Sequence, residues 1–140
     1  MIQRYRSRLS GPLLDRIDLQ IEVPRITYRE RSGTTEPESS ATIRARVETA
    51  RSIQRKRLAP HGLHANAAMA ARHIRKFCPL DEAGQKLLEM VVDKLGMSAR
   101  SYSRILKVAR TIADLAGEES IQQPHLAEAI QYRGLDRRTA

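Results

Sequence analysis

The sequence predicts a mainly α-helical fold, in which a small helical bundle follows a short turn and one β-strand. From residue 41 onward, apolar residues recur at helical spacing. Residues 17–23 instead alternate strictly between apolar and polar side chains, which is typical of a half-buried strand. No later segment offers that strand a partner, and an unpaired strand leaves its backbone hydrogen-bonding groups unsatisfied. We therefore expect the chain to be a fragment that starts within a domain, with the rest of the sheet missing.

Composition restricts the partners of the chain. The 140 residues carry a formal net charge of +9, which favours anionic partners such as nucleic acid or nucleotide phosphate. A solvated Arg-rich surface without a partner is the alternative. The single cysteine excludes a disulfide framework and a cysteine-based zinc site. No apolar run is long enough to cross a membrane, so we expect no membrane partner and a cytoplasmic location.

The elements before the bundle are short. Residues 10–23 begin with a helical turn that leads into the strand, and residues 24–40 form a polar loop. A first long helix is predicted at 41–58, ended by Pro60 and Gly62. Its outer faces carry the basic side chains of Arg44, Arg46, Arg51, Arg55, Lys56 and Arg57.

The later helices have recognisable ends. Predicted helices lie at residues 66–77, 81–95 and 98–116, and a last one starts near Pro124. Asp81 and Ser98 are suited to N-cap two of them, and Gly96 and Gly117 to end the same two. On the helix at 98–116 the expected core residues are Tyr102, Ile105, Leu106, Ala109, Ile112 and Ala113. Met97 and Tyr102 are placed to form a hydrophobic staple.

The remaining reactive side chains predict no catalytic site. His61, His64, His73 and His125 lack the spacing of a metal site, and His61 and His64 fall in an expected loop. Cys78 is expected to be a packed thiol. Arg110 is expected to pair with Asp114, four residues later on the same helix.

Several segments resemble one family of ATPases. Residues 10–19, Ser-Gly-Pro-Leu-Leu-Asp-Arg-Ile-Asp-Leu, resemble the segment before the last core strand of magnesium-chelatase-type AAA+ ATPases. Residues 98–115 resemble the lid of the ComM type, the competence-associated bacterial members of this family. The stretch from Arg46 to Gln54, the pair Asn66-Ala67 and residues 125–133 fit the same pattern. The resemblance implies the end of an ATPase core at 1–23, a linker at 24–40, a helical lid domain at 41–133 and a tail at 134–140.

The resemblance also implies roles for three arginines. Arg16 falls where related ATPases place a trans arginine finger, which reaches into the nucleotide site of the neighbouring subunit. Arg100 falls at the sensor-2 position that contacts ATP phosphate, and Arg104 is the second candidate for that contact. The residues alone leave alternatives open, since Arg16 could pair with Asp15 or Asp18. Arg100 and Arg104 could simply belong to a solvated helix face.

The chain departs from the family in one large respect. No Gly-x-x-x-x-Gly-Lys phosphate-binding loop and no acidic metal-binding strand occur in the 140 residues. The resemblance implies that the intact protein binds ATP and Mg²⁺, and the missing motifs lead us to expect that neither binds this fragment tightly. The fragment alone is predicted to be inactive. Its expected partners are the N-terminal remainder of its own core, identical subunits in a ring, expected to be a hexamer, and DNA during recombination or transformation.

A second hypothesis from a different class remains open. The chain could be a non-enzymatic helical module that binds nucleic acid through the basic side chains of the first helix. The candidate residues for phosphate contacts are Arg44, Arg51, Arg55 and Lys56.

Overall fold

The structure is a computed structural model that describes residues 11–25 and 36–133. Within these ranges the helices are α1 Gly11–Leu14, α2 Ser40–Leu58, α3 Ala71–Phe77, α4 Glu82–Leu95, α5 Ala99–Ala116 and α6 Gln123–Gln131, with 3₁₀ turns at Ala59–His61 and Asn66–Ala68. The predicted helical class is therefore confirmed. None of the helices in this part of the chain is both long and apolar enough to cross a membrane. The predicted tail at 134–140, residues 1–10 of the predicted core end and residues 26–35 of the predicted linker lie outside the described residues.

Residues 17–23 do not form the β-strand that their alternation predicts. No strand occurs among the described residues, and a ladder requires a second strand. The apolar side chains of the segment are exposed, with Ile21 at 68% and Val23 at 80%. The segment instead contacts the end of the bundle, where the Gln20 N–H donates to the Tyr132 carbonyl at 2.8 Å. The helical turn that was expected before it is present as α1.

Helix α2 is present almost as predicted, but only its second half packs on the bundle. Ser39 caps the helix, and its hydroxyl accepts a hydrogen bond from the Thr42 N–H at 3.2 Å. Residues 41–49 are exposed on every side, whereas Ala50, Gln54 and Leu58 are buried. The first half of α2 therefore projects about 15 Å beyond the bundle.

Helix α5 is the centre of the bundle and packs against α2, α3 and α6. Its buried apolar residues are Ile105, Leu106, Ala109 and Ala113, as the periodicity predicts. Tyr102 is a correction, because 42% of it is exposed. It lies in the first turn of α5 and lines an open groove of about 590 Å³ between α3, α4 and α5 rather than the core.

The predicted helix at 66–77 is two elements. A 3₁₀ turn ends at Met69, whose extended backbone (φ −61°, ψ 128°) separates the turn from α3. The break lets Met69 enter the core, where it is buried. It also lets the side chain of Asn66 reach Thr111 and Asp114 of α5. Burial of an apolar side chain and side-chain hydrogen bonds together outweigh the helix propensity of the Ala-rich segment.

The ends of α4 and α5 follow the sequence signals. The carboxylate of Asp81 accepts from the Gly84 N–H at 2.7 Å, and the hydroxyl of Ser98 accepts from the Ser101 N–H at 3.2 Å. Gly96 ends α4 with φ +56°, a left-handed conformation that other residues rarely adopt. The turn between the two helices is therefore short. It places the first turn of α5, which carries Arg100, directly after α4.

Candidate functional site

Residues 15–18 dock on the first turns of α5. The carboxylate of Asp15 accepts hydrogen bonds from the hydroxyls of Ser98 (3.2 Å) and Ser101 (3.1 Å). Asp18 forms an ion pair with Arg104, one turn further along the helix. The structure thus brings together two segments that the sequence singles out separately, the segment around Arg16 and the start of α5.

A buried arginine after α6 completes this contact. Arg133 is 1% exposed and donates to the Ser101 hydroxyl at 3.1 Å and to the Ile17 carbonyl at 2.5 Å. Its guanidinium also lies 3.8 Å from the Asp15 carboxylate. Sequence reasoning assigned Arg133 no role. The only signal was its place at the end of the segment 125–133, because its partners lie 32 and 116 residues away.

The local ion pair that the sequence allows for Arg16 is not formed. Asp15 and Asp18, its neighbours in sequence, instead contact α5 and Arg133. Arg16 is exposed, and its side chain makes no hydrogen bond or ion pair with the described residues. Its guanidinium is therefore available for a partner outside this part of the chain.

The two candidates for a phosphate contact differ in their surroundings. Arg100, the second residue of α5, is exposed, and its side chain has no partner among the described residues. Arg104 is held by Asp18, and its Nε is buried without a hydrogen-bond acceptor in the described structure. Since the N-terminus of a helix attracts anions through its free N–H groups, Arg100 is the better placed of the two for phosphate.

A second polar cluster lies at the other end of α5, about 20 Å from Arg100. Buried Asp114 accepts from the Arg110 Nε at 3.1 Å and from the Asn66 amide at 2.9 Å, and it forms an ion pair with Arg57. The predicted pair of Arg110 and Asp114 is therefore confirmed, and both side chains are buried. Burial lowers the pKa of Arg110, and the charge of Asp114 opposes this effect. This cluster holds α2 and the Asn66 turn on α5.

The basic residues of α2 fall into two groups. Arg46 is bound by Glu38 at 2.6 Å, and Arg57 is bound by Asp114. The four predicted phosphate-contacting residues are exposed and have no partner within the described residues: Arg44, Arg51, Arg55 and Lys56.

The histidines and the cysteine do not form a reactive centre. His73 is buried, its Nδ1 accepts from the Ala70 N–H at 3.0 Å, and desolvation lowers its pKa. The ring of His61, in the predicted loop, packs edge-on against His73 and Phe77. No group of three metal-ligating side chains occurs in the part of the chain that the structure describes. Cys78 is buried, and burial raises the pKa of its thiol to about 11.

Comparison with known proteins gives consistent matches along the chain. Residues 37–133 match the family described as magnesium chelatase, subunit ChlI C-terminal, and residues 1–31 match magnesium chelatase, subunit ChlI. The competence protein ComM of Haemophilus influenzae is 47% identical over 137 residues, which is 97% of this chain and 26% of that protein. The uncharacterized protein YifB of Escherichia coli is 45% identical over 135 residues, which is 96% of the chain and 26% of that protein.

More distant relatives match over the same share of their length. An uncharacterized protein of Mycobacterium tuberculosis is 35% identical over 131 residues, which is 94% of the chain and 26% of that protein. The chain thus spans about a quarter of the length of the curated relatives it matches.

Proposed function

The chain belongs to the magnesium chelatase ChlI C-terminal family, and we propose that it is the C-terminal part of a ComM-type AAA+ ATPase to which it contributes Arg16 and Arg100. In this proposal residues 1–23 end the ATPase core and residues 41–133 form the helical lid. The observation that carries the proposal is the difference between Arg16 and its two acidic neighbours in their contacts. Asp15 and Asp18 are both engaged by the bundle, while the guanidinium between them has no partner within the described chain.

Arg16 is proposed to act in the nucleotide site of the neighbouring subunit. Phosphoryl transfer is catalysed mainly by stabilising the negative charge that develops on the transferred group. An arginine supplied by a second subunit contributes about 10³ to 10⁵ in rate in other nucleotide hydrolases. An exposed arginine whose neighbours are held in place is suited to that contact.

Arg100 is proposed to contact ATP phosphate within its own subunit. Arg100 lies in the first turn of α5, and arginine at the N-terminal end of a helix is suited to a phosphate contact. Arg104 is the alternative, and it would have to leave Asp18 first. The described residues hold no carboxylate cluster for Mg²⁺, so the phosphate loop and metal ligands would come from the N-terminal remainder of the core.

The intact protein is proposed to assemble into a ring, with a hexamer expected, and to act on DNA. A trans arginine finger requires a second subunit, and a ring provides one at every site. The net charge of +9 suits a polyanionic substrate, and one relative is named a competence protein. We propose that the substrate is DNA undergoing recombination during transformation, in the cytoplasm.

The test is the DNA-stimulated ATPase activity of the intact protein with Arg16→Ala and Arg100→Ala. Each substitution is expected to lower turnover a hundredfold or more, because each removes a charge that stabilises the transition state. Arg75→Ala is the matched control, since Arg75 is another exposed arginine and lies on α3. Near-normal turnover in both variants, with folding retained, would contradict the proposal.

One observation favours a second candidate function, a helical module that binds nucleic acid. On α2, Arg44, Arg51 and Arg55 lie within about 40° of one another around the helix axis, so they form one stripe. All three are exposed and unpaired within the described chain, although Glu48 lies beside the stripe. Such a stripe can follow a phosphate backbone without reading bases.

The second function is tested by the salt dependence of DNA binding by the 140-residue chain. Binding is expected to weaken steeply between about 50 and 200 mM salt, because each neutralised phosphate releases counterions. The triple variant Arg44→Ala, Arg51→Ala, Arg55→Ala should reduce the slope of log K against log salt by about 3. Arg46→Ala is the control, since Glu38 already pairs that arginine. Salt-independent binding, or none at 50 mM, would rule this function out.

A further inference from the structure

We infer that Asp15 and Arg133 are positioning residues for Arg16, and that they attach the finger segment to the lid. Together with Asp18, Ser101 and Arg104 they form what we call the clamp. The inference rests on the proposed role of Arg16 as a trans finger. It adds that the clamp determines the position of this finger, and it assigns a function to Arg133.

The clamp holds the chain on both sides of Arg16. Before it, the Asp15 carboxylate accepts from the hydroxyls of Ser98 and Ser101. After it, Arg133 donates to the carbonyl of Ile17. Arg16 itself takes part in none of these contacts, so the clamp fixes its backbone and leaves its guanidinium available.

Two further contacts extend the attachment beyond Arg16. The carboxylate of Asp18 pairs with Arg104 on α5, and the Gln20 N–H donates to the Tyr132 carbonyl after α6. The segment therefore contacts two elements of the bundle. A rotation of α5 and α6 as a unit would carry Arg16 with it.

Arg133 is the central member of the clamp. Its side chain is 1% exposed, and its guanidinium contacts the Ser101 hydroxyl, the Ile17 carbonyl and, at 3.8 Å, the Asp15 carboxylate. A planar guanidinium fixes the relative orientation of the groups it bridges, which the ammonium of a lysine does not. Because those groups belong to α5 and to residues 15–17, Arg133 sets the angle between the lid and the finger segment.

The consequence for catalysis follows from geometry. Displacement of a positioning group by about 1 Å can lower a rate about 10²-fold. In a ring, Arg16 of one subunit would act in the site of the next, while its clamp belongs to the lid of its own subunit. Movement of one lid is thereby transmitted to the neighbouring nucleotide site.

The test uses mixed rings of the intact protein. In these rings one kind of subunit supplies the arginine finger and the other kind hydrolyses ATP. The acceptor subunit carries Arg16→Ala and can hydrolyse ATP but gives no finger. The donor subunit has a substituted phosphate-loop lysine and can only give a finger. Arg133→Lys or Asp15→Asn is then placed in the donor or in the acceptor, and kcat and KM for ATP are measured.

In the donor, each substitution is expected to lower kcat tenfold or more with less than a twofold change in KM, because a finger acts mainly in the transition state. In the acceptor, the same substitution should change kcat by less than threefold. Equal losses in both placements, or no loss in the donor, would overturn the inference. Asp15→Asn keeps the shape of the side chain, so it serves if Arg133→Lys does not fold.

Two controls separate the possible failures. Arg110→Lys in the donor disrupts a buried arginine of the same helix bundle without touching residues 15–18, and it should leave donor kcat within twofold of wild type. Arg16→Ala in the donor must abolish the activity of the mixed ring. If it does not, the proposed function fails. If it does and the clamp variants remain fully active, only the positioning role fails.

Discussion

At the scale of single residues, Asp114 shows how one buried carboxylate organises several donors. It is 1% exposed and receives hydrogen bonds from Arg57, Asn66 and Arg110. Arg110 in turn donates to the carbonyls of Glu118 and Glu119 after α5. The charges are thus paired and hydrogen-bonded, the condition under which burial of charge is tolerated.

Asp114→Ala is expected to lower the free energy of unfolding by about 3 to 5 kcal/mol, because it leaves the buried guanidinium of Arg110 without its carboxylate. Urea denaturation followed by circular dichroism measures the change. Lys86→Ala is the control, since its ion pair with Glu82 is largely exposed and should leave the midpoint unchanged. A loss below about 1 kcal/mol for Asp114→Ala would show that the cluster contributes little.

Among these contacts, the sequence predicts only those between residues that are close together in the chain. Arg110 and Asp114 are four residues apart on one helix, so their pairing follows from helix geometry. Arg57 and Asp114 are 57 residues apart, and no spacing rule connects them. The same limit applies to the candidate site, where Arg16 and Arg100 could be named from motifs but the contacts of Arg133 could not.

At the scale of elements, α2 is one continuous helix with two environments. Residues 41–49 are exposed, whereas the second half buries Ala50, Gln54 and Leu58. Helical stability in proteins comes mostly from packing of the apolar face. The two halves should therefore differ in local stability.

Amide hydrogens at residues 43–49 are expected to exchange with solvent at least about tenfold faster than those at 52–58, because opening the first half exposes little buried surface. Hydrogen–deuterium exchange of the 140-residue chain measures both ranges. Ser39→Ala removes the N-cap and should speed exchange in the first half alone. Uniform protection along α2 would show that the first half is stabilised by a contact not seen here.

The predicted ends of the helices were correct where local capping residues determine them. They were wrong where tertiary contacts determine them. Ser98 and Gly96 act as the caps that their residue types predict. The single helix expected at 66–77 is broken, because Met69 packs in the core and Asn66 bonds α5. Residues 17–23 carry a strand pattern but meet no strand in the described part of the chain.

At the scale of the whole molecule, α5 joins two polar centres at opposite ends of one bundle. Its first turns hold residues 15–18 through the clamp, and its last turns hold α2 and the Asn66 turn through Asp114. The helical class could be predicted from periodicity, and the family from motifs in α5 and before it. The mutual placement of these parts could not, because it depends on contacts between residues far apart in sequence.

The burial of Cys78 makes site-specific fluorescent labelling of the chain possible. It is the only cysteine of the 140 residues, it is buried, and burial raises the pKa of its thiol to about 11. At pH 7.5 less than about one thiol in a thousand is therefore ionised and reactive towards maleimides. A fluorophore can be attached at an introduced surface cysteine, such as that of Arg75→Cys, while the native thiol stays in place. Movements of the labelled surface of the 140-residue chain can then be followed by fluorescence without altering the core.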